Sequence, residues 1–213
     1  MGAVLHDYWR SSAAYRVRIG LALKGVGWRS RPVDLAAGAQ RGADHLARNP
    51  QGLVPVLDID GLRLTQSLAI LAYLDETRPA PPLLPADAGG RARVRALALA
   101  VACDIHPLSN LSVLNRVSAL AGDAARADWN SGNIRRGLVA VEAMLADLPD
   151  AFRDGPFCYG TMPGLADCCV IPQLYNATRW GVDYADLPCL ARVAAACAAH
   201  PAFVAAHPDR AGA

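Results

Sequence analysis

Short apolar runs with strand-like and helix-like spacing alternate through the first eighty positions and then give way to helical spacing alone. VLHDYW (4–9) reads as a strand, and AAYRVRIGLALKG (13–25) as a helix that Gly25 is suited to close. WRSRPVDL (28–35) reads as a second strand. In VPVLDIDGLRLTQS (54–67) two apolar runs meet at Asp60-Gly61, the strongest short hairpin signal. Ser67 is placed to cap LAILAYLDET (68–77), where Leu68, Leu71, Ala72 and Leu74 recur at helical spacing. The Pro/Gly-rich stretch 81–89 predicts a linker without regular structure. Beyond it the pattern predicts helices over 91–117, bending near His106-Pro107, over 129–148, over 165–181 with Pro172 inside, and over 189–203. No internal repeat is visible.

The order β-α-β-(short helix)-β-β-α predicts a thioredoxin-like α/β domain over 1–80, joined by 81–89 to an all-α domain over 90–213. At 213 residues the chain has room for two small domains, and its 53% hydrophobic content, rich in Ala, Leu and Val, leans towards helix. A net charge of +2 without a Lys/Arg block argues against a nucleic-acid surface. The most apolar segment, ALALAVAC (96–103), is far shorter than the roughly 20 residues of a membrane span. No signal peptide is evident at the N-terminus. The six cysteines form no C-x-x-C pair and no zinc spacing, so buried, reduced thiols in a cytoplasmic protein, without metal, are expected.

Four groups of residues are candidates for chemistry. Val54-Pro55 opens a strand with a proline; a cis bond there would turn the Val54 backbone outward to pair with an extended ligand, and a trans proline at an edge is the alternative. Gln66-Ser67 starts a helix, whose free N–H groups suit a carboxylate, although capping alone explains the serine. Ser11 and Ser12 open the first long helix in the same way, as a cap or as a hydroxyl donating to a thiolate. Among the arginines, Arg10 lies at a strand-to-helix turn and is the first choice for a substrate carboxylate, with Arg179 beside it as a candidate. Arg16 and Arg18 are not expected to face the core together.

These features resemble the zeta class of glutathione transferases, in particular the maleylacetoacetate isomerase family. The strings carrying the likeness, RSSAAYRVRIGLALKG, NPQGLVPVLDIDGLRLTQSLAILAYLDETRP, LLPADAGGRARVRALA, DIHPLSNLSVL and LADCCVIPQLYNATRWGVD, occur in order along essentially the whole chain. The resemblance implies the glutathione transferase fold, glutathione as cofactor and a homodimer. It implies that Val54 before a cis Pro55 holds the cysteinyl backbone of glutathione, and that Gln66 and Ser67 hold its γ-glutamyl end. Gln40, His106 and Asn110-Leu111-Ser112 fall on positions that the family uses around glutathione. Ser11, Ser12 and Arg10 would carry the catalytic work, with Arg10, Arg16 and Arg179 towards the substrate.

Three departures stand out. Ala13 replaces the cysteine of the family's Ser-Ser-Cys, which shifts the burden to Ser11 and Ser12. His106 stands where other members often have Gln. Gly164 replaces the Ser/Thr before LAD, leaving Asp167 to bond back as half of a capping box. The implied reaction is glutathione-dependent cis–trans isomerisation of a maleyl keto-acid, 4-maleylacetoacetate to 4-fumarylacetoacetate in aromatic amino-acid catabolism being the leading case. Maleylpyruvate isomerisation is the runner-up; relatives of that kind carry arginines in the segment matching SNLSVL, where this chain has Leu111 and Ser112. General glutathione transfer or haloacid dehalogenation, and a non-enzymatic glutathione-binding protein, are the further alternatives.

Overall fold

The computed structural model describes residues 2–211. The chain divides into two compact units: one runs to Leu83 and takes up the chain again from His200, and the other spans Leu84–Ala199. The segment from His200, expected with the helical domain, therefore packs with the first unit. The reason is local. Pro201 cannot continue α8 (Pro188–Ala199), His200 caps a new helix, α9 (Pro201–Ala206), and that helix lies against α1 (Ser12–Leu23).

The first unit is built on four strands: β1 (Ala3–Asp7), β2 (Trp28–Pro32), β3 (Val56–Ile59) and β4 (Leu62–Thr65), in the order β2-β1-β3-β4. β1 pairs in parallel with β2, Leu5 opposite Ser30, and antiparallel with β3, Leu5 opposite Leu57. β3 and β4 form the expected hairpin, and both turn residues, Asp60 (φ 52°) and Gly61 (φ 78°), take the left-handed backbone that the tight turn requires. Tyr73 of the neighbouring helix and Arg78 just beyond its end bind the Asp60 carboxylate and hold the turn in place. The core gathers Leu5, Val17, Leu21, Leu57, Ile59, Ile70 and Leu74, with Val26, Trp28, Leu64 and Tyr73 packed on its margin. α1 and α3 (Ser67–Thr77) press together at Gly20, where a Cβ would fall 2.1 Å from Leu71 Cδ2. A short helix, α2 (Ala43–Leu46), lies in the connection between β2 and β3, and α10 (Pro208–Ala211) follows α9.

In the second unit, α4 (Ala88–Leu99) starts inside the stretch expected to be irregular. Asp87 makes this possible, its side chain accepting the Gly90 N–H at 2.7 Å as an N-cap. The chain tightens and loosens through a π-helical turn (Ala100–Ile105) and a 3-10 turn (His106–Ser109), which is the bend expected at His106-Pro107. α5 (Leu111–Ala146) then joins the two helices expected over 91–117 and 129–148, with one interruption at Gly122 (φ 86°, ψ 172°). α6 (Asp150–Arg153), α7 (Leu165–Arg179) and α8 complete the unit around Val94, Leu97, Val101, Ile134, Leu138 and Leu190. Among the described residues, no single helix is long and apolar enough to cross a membrane.

Candidate active site

The first unit brings three features of the sequence into definite geometry. At the β1–α1 turn, Ser11 is the N-cap of α1: its backbone is extended (φ −69°, ψ 118°) and its Oγ accepts the Ala14 N–H at 3.2 Å. Acting there as acceptor, the hydroxyl keeps its own proton to donate. Ser12 begins the helix and is buried. Arg10 folds over aromatic rings, its guanidinium 4.7 Å from the Trp9 ring centre and an NH2 donating to Tyr8 Oη at 2.9 Å. Among the described residues its buried Nε has no hydrogen-bond partner and the side chain makes no ion pair.

The second feature is the Val54–Pro55 bond, which is cis. The residues before it are held firmly. The Leu53 carbonyl accepts from His45 Nε2 (3.0 Å) and from Asn49 Nδ2 (2.8 Å), while Asn49 Oδ1 accepts the Gln51 N–H at 3.1 Å. Gln40, in the 3-10 turn Ala39–Arg41, lies against this segment: a Cβ on Gly52 would sit 3.2 Å from its carbonyl oxygen. The Gln40 side-chain Oε1 is buried with no hydrogen-bond partner among the described residues.

The third feature is the start of α3. Gln66 precedes it at φ 66° and supplies no side-chain cap; its Nε2 turns instead to Gln51 Oε1 at 2.8 Å. The leading amides of α3 thus lack a capping side chain and carry the positive end of the helix dipole. Ser67 is buried, and its Oγ accepts from Arg16 NH1 at 3.2 Å.

This last contact corrects an expectation. Arg16 was placed towards the substrate, but it is only 3% exposed and bonded to Ser67. Arg18 is only 1% exposed, so the two arginines do face the interior together. Each has acceptors waiting: Ser67 for Arg16, and for Arg18 the Asp7 carboxylate and the carbonyls of Trp9 and Ala206. Burial pushes the Asp7 carboxyl above its ordinary value, against the pull of Arg18.

The remaining candidates belong to the helical unit. His106 opens the 3-10 turn, and Asn110 caps α5, its Oδ1 accepting both the N–H (3.0 Å) and the hydroxyl (2.9 Å) of Ser112. Leu111 is exposed. Arg179, the last residue of α7, is exposed with its guanidinium 5.9 Å from the Tyr175 ring centre, and among the described residues it makes no ion pair. At the other end of α7, Asp167 Oδ2 accepts the Gly164 N–H and its Oδ1 the Cys158 N–H, both at 2.8 Å. The half capping box read from the sequence is thus present, and burial raises the Asp167 carboxyl while the two backbone donors lower it.

His45, Asn49 and Gln51, which fix the approach to Val54, were not singled out from the sequence. The run NPQG (49–52) marks a turn, but nothing in it shows that Asn49 reaches past the turn to Leu53.

Comparison with known proteins agrees with this arrangement. Residues 1–76 match the family described as glutathione S-transferase, N-terminal domain. A maleylacetoacetate isomerase of Rhizobium meliloti (strain 1021) is 59% identical over 98% of this chain and 97% of its own length. The holo structure of a maleyl pyruvate isomerase, a bacterial zeta-class glutathione S-transferase, superposes with a TM-score of 0.93 at 42% identity, covering 97% of each chain. A maleylacetoacetate isomerase of Anaeromyxobacter dehalogenans 2CP-1, with GSH bound in its active site, is 48% identical with a TM-score of 0.86, over 98% of this chain and 96% of that one. In sequence and in fold, over essentially its whole length, the chain belongs to the maleylacetoacetate isomerase family of zeta-class glutathione transferases.

Proposed function

We propose that the protein catalyses glutathione-dependent cis–trans isomerisation of a maleyl keto-acid, with 4-maleylacetoacetate, converted to 4-fumarylacetoacetate, as its first substrate. Full-length identity to the Rhizobium meliloti maleylacetoacetate isomerase is the observation that carries this choice. The first unit fits the cofactor on its own evidence. The uncapped amides of α3 suit the γ-glutamyl carboxylate, the buried Gln40 Oε1 has no donor among the described residues and can take one from a ligand, and the Val54 backbone leads directly into β3.

Bound glutathione supplies a thiolate whose reversible addition to the cis double bond leaves a single bond free to rotate. The residues of this chain act around that chemistry. Ser11 donates its hydroxyl proton towards the thiolate from the positive end of α1, and Ser12 lies next to it as the alternative donor. Arg10 and Arg179, neither tied up by a carboxylate among the described residues, hold the carboxylates of the substrate and bear charge that develops during rotation. Arg16 serves the cofactor end by fixing Ser67. His106, Asn110, Leu111 and Ser112 contribute from the helical unit, as part of the same reading. A homodimer in the cytoplasm, working in aromatic amino-acid breakdown, completes the proposal.

Maleylpyruvate is the second reading, supported by the likeness to the solved maleyl pyruvate isomerase. Leu111 and Ser112 favour the first. The deciding experiment is an assay of both maleyl acids with and without added glutathione. Faster turnover of maleylacetoacetate that requires glutathione is expected. Faster turnover of maleylpyruvate selects the second reading. No glutathione-dependent turnover of either acid, together with failure to be retained on a glutathione resin, removes the enzyme.

A further inference from the structure

The β1–α1 turn that presents Arg10 and Ser11 is anchored from behind by one side chain. Arg18 lies two turns into α1 and points back along the helix, as long helical side chains do. Its three groups of donors take three different acceptors. NH1 donates to Asp7 Oδ2 at the end of β1 (2.9 Å), NH2 to the Trp9 carbonyl in the turn itself (2.9 Å), and Nε to the carbonyl of Ala206 at the end of α9 (3.0 Å). The guanidinium also lies 5.3 Å from the Tyr15 ring centre, and His207 meets the same ring edge-on at 6.0 Å. We propose that Arg18 is a positioning residue for the isomerisation: its bond to the Trp9 carbonyl fixes where Arg10 and Ser11 stand, and Asp7 and the Ala206 carbonyl fix Arg18.

Two points support a role beyond packing. A buried ion pair is often replaceable by apolar residues without loss of stability, so Asp7–Arg18 alone gives no reason for an arginine. The third contact does, because these acceptors are met from three separate nitrogens held in one rigid plane; the single nitrogen of an ammonium cannot span acceptors placed around that plane. The contact with Trp9 also falls one residue before Arg10 and two before Ser11, where a small displacement moves both functional groups together.

The catalytic consequence rests on the isomerase reading above, so the test includes one measurement that does not. Arg18→Lys in the full chain keeps a charge opposite Asp7 and loses the fork. The variant is expected to fold, with amide exchange at residues 11–14 accelerated relative to the sheet. Its kcat should fall about tenfold or more while the KM for glutathione moves little. The acid limb of its kcat–pH profile should shift upward as Ser11 loses alignment with the thiolate. If Arg18→Lys does not fold, Asp7→Asn, which removes the counter-charge but keeps the shape, is read in the same way. A folded variant with the parent's turnover and pH profile overturns the proposal, and so does unchanged exchange at residues 11–14. If the parent turns over neither maleyl acid, the isomerase reading fails, and the exchange measurement still decides whether Arg18 holds the turn.

Discussion

Ser11 has two duties that substitution can separate. Ser11→Ala removes cap and donor together and is expected to cost about 1 kcal/mol of stability as well as turnover. Ser11→Asp caps as well as serine but offers no proton, so thermal unfolding should stay near the parent's while kcat falls about a hundredfold. Parent-like turnover in Ser11→Asp would assign the thiolate to Ser12 or to the helix dipole alone. At the other candidate substrate contact, Arg179→Ala is expected mainly to raise the KM for the maleyl acid, since among the described residues the side chain makes no ion pair whose loss would unfold the helix; an unaltered KM removes it from the site. Asp167 gives a pH signature. Its carboxyl is raised above the ordinary 3.8 by burial, so the folded chain holds this proton more tightly than the unfolded one. Its contribution to stability is complete below that ordinary value and is lost as pH climbs through the raised one. The parent's Tm, measured against that of Asp167→Asn, should therefore decline as pH rises; a rise would show that the two backbone donors outweigh burial. At this scale the sequence announced Ser11 and the Gly164–Asp167 half box, because each is a local capping pattern; Ser67, expected to cap α3, is instead its first residue and gives its Oγ to Arg16. The sequence did not announce that Arg16 and Arg18 are both interior, because their acceptors, Ser67 and the Ala206 carbonyl, come from 51 and 188 residues away.

Elements were legible where one signal was strong and local. Asp60-Gly61 fixed the β3–β4 hairpin, and the spacing of Leu68, Leu71 and Leu74 fixed α3. Boundaries set by packing were not. β1 ends at Asp7, so Tyr8 and Trp9, expected in the strand, lie in the turn beyond it, where the Trp9 carbonyl accepts from Arg18. Gly89 and Gly90 enter α4, although both are poor helix formers, because Asp87 caps the turn that contains them. One side chain joins several elements of the first unit at once. Lys24, fully buried just after α1, donates to the Asp75 carboxylate of α3 (2.7 Å) and to the carbonyls of Arg78 (2.7 Å) and Pro81. Lys24→Met fills the space but leaves Asp75 and two carbonyls without their donor, and is expected to destabilise the protein by about 3–5 kcal/mol. Urea unfolding checks this; a loss below about 1 kcal/mol would mean that the neighbouring Leu83 N–H, which also binds Asp75 at 2.7 Å, suffices.

At the scale of the whole molecule, the division into an α/β part and a helical part followed from the change of hydrophobic period near residue 80, but the route of the chain did not. Nothing in CLARVAAACAAHPAF shows that its last residues belong elsewhere, since the helical pattern runs on past His200. A chain ending at Ala199 is expected to have a lower Tm and to expose Tyr15 of α1, with faster exchange along that helix; an unchanged Tm would make α9 dispensable. The same threading bears on synthesis. A ribosome adding about 5–20 residues per second spends on the order of ten seconds between Leu83 and His200. Throughout that interval the nascent sheet and α1 stand without α9, and the Arg18 Nε has no Ala206 carbonyl to meet. The part of the molecule translated first is thus completed last, and chaperones have their longest access to the side of α1 that α9 will cover.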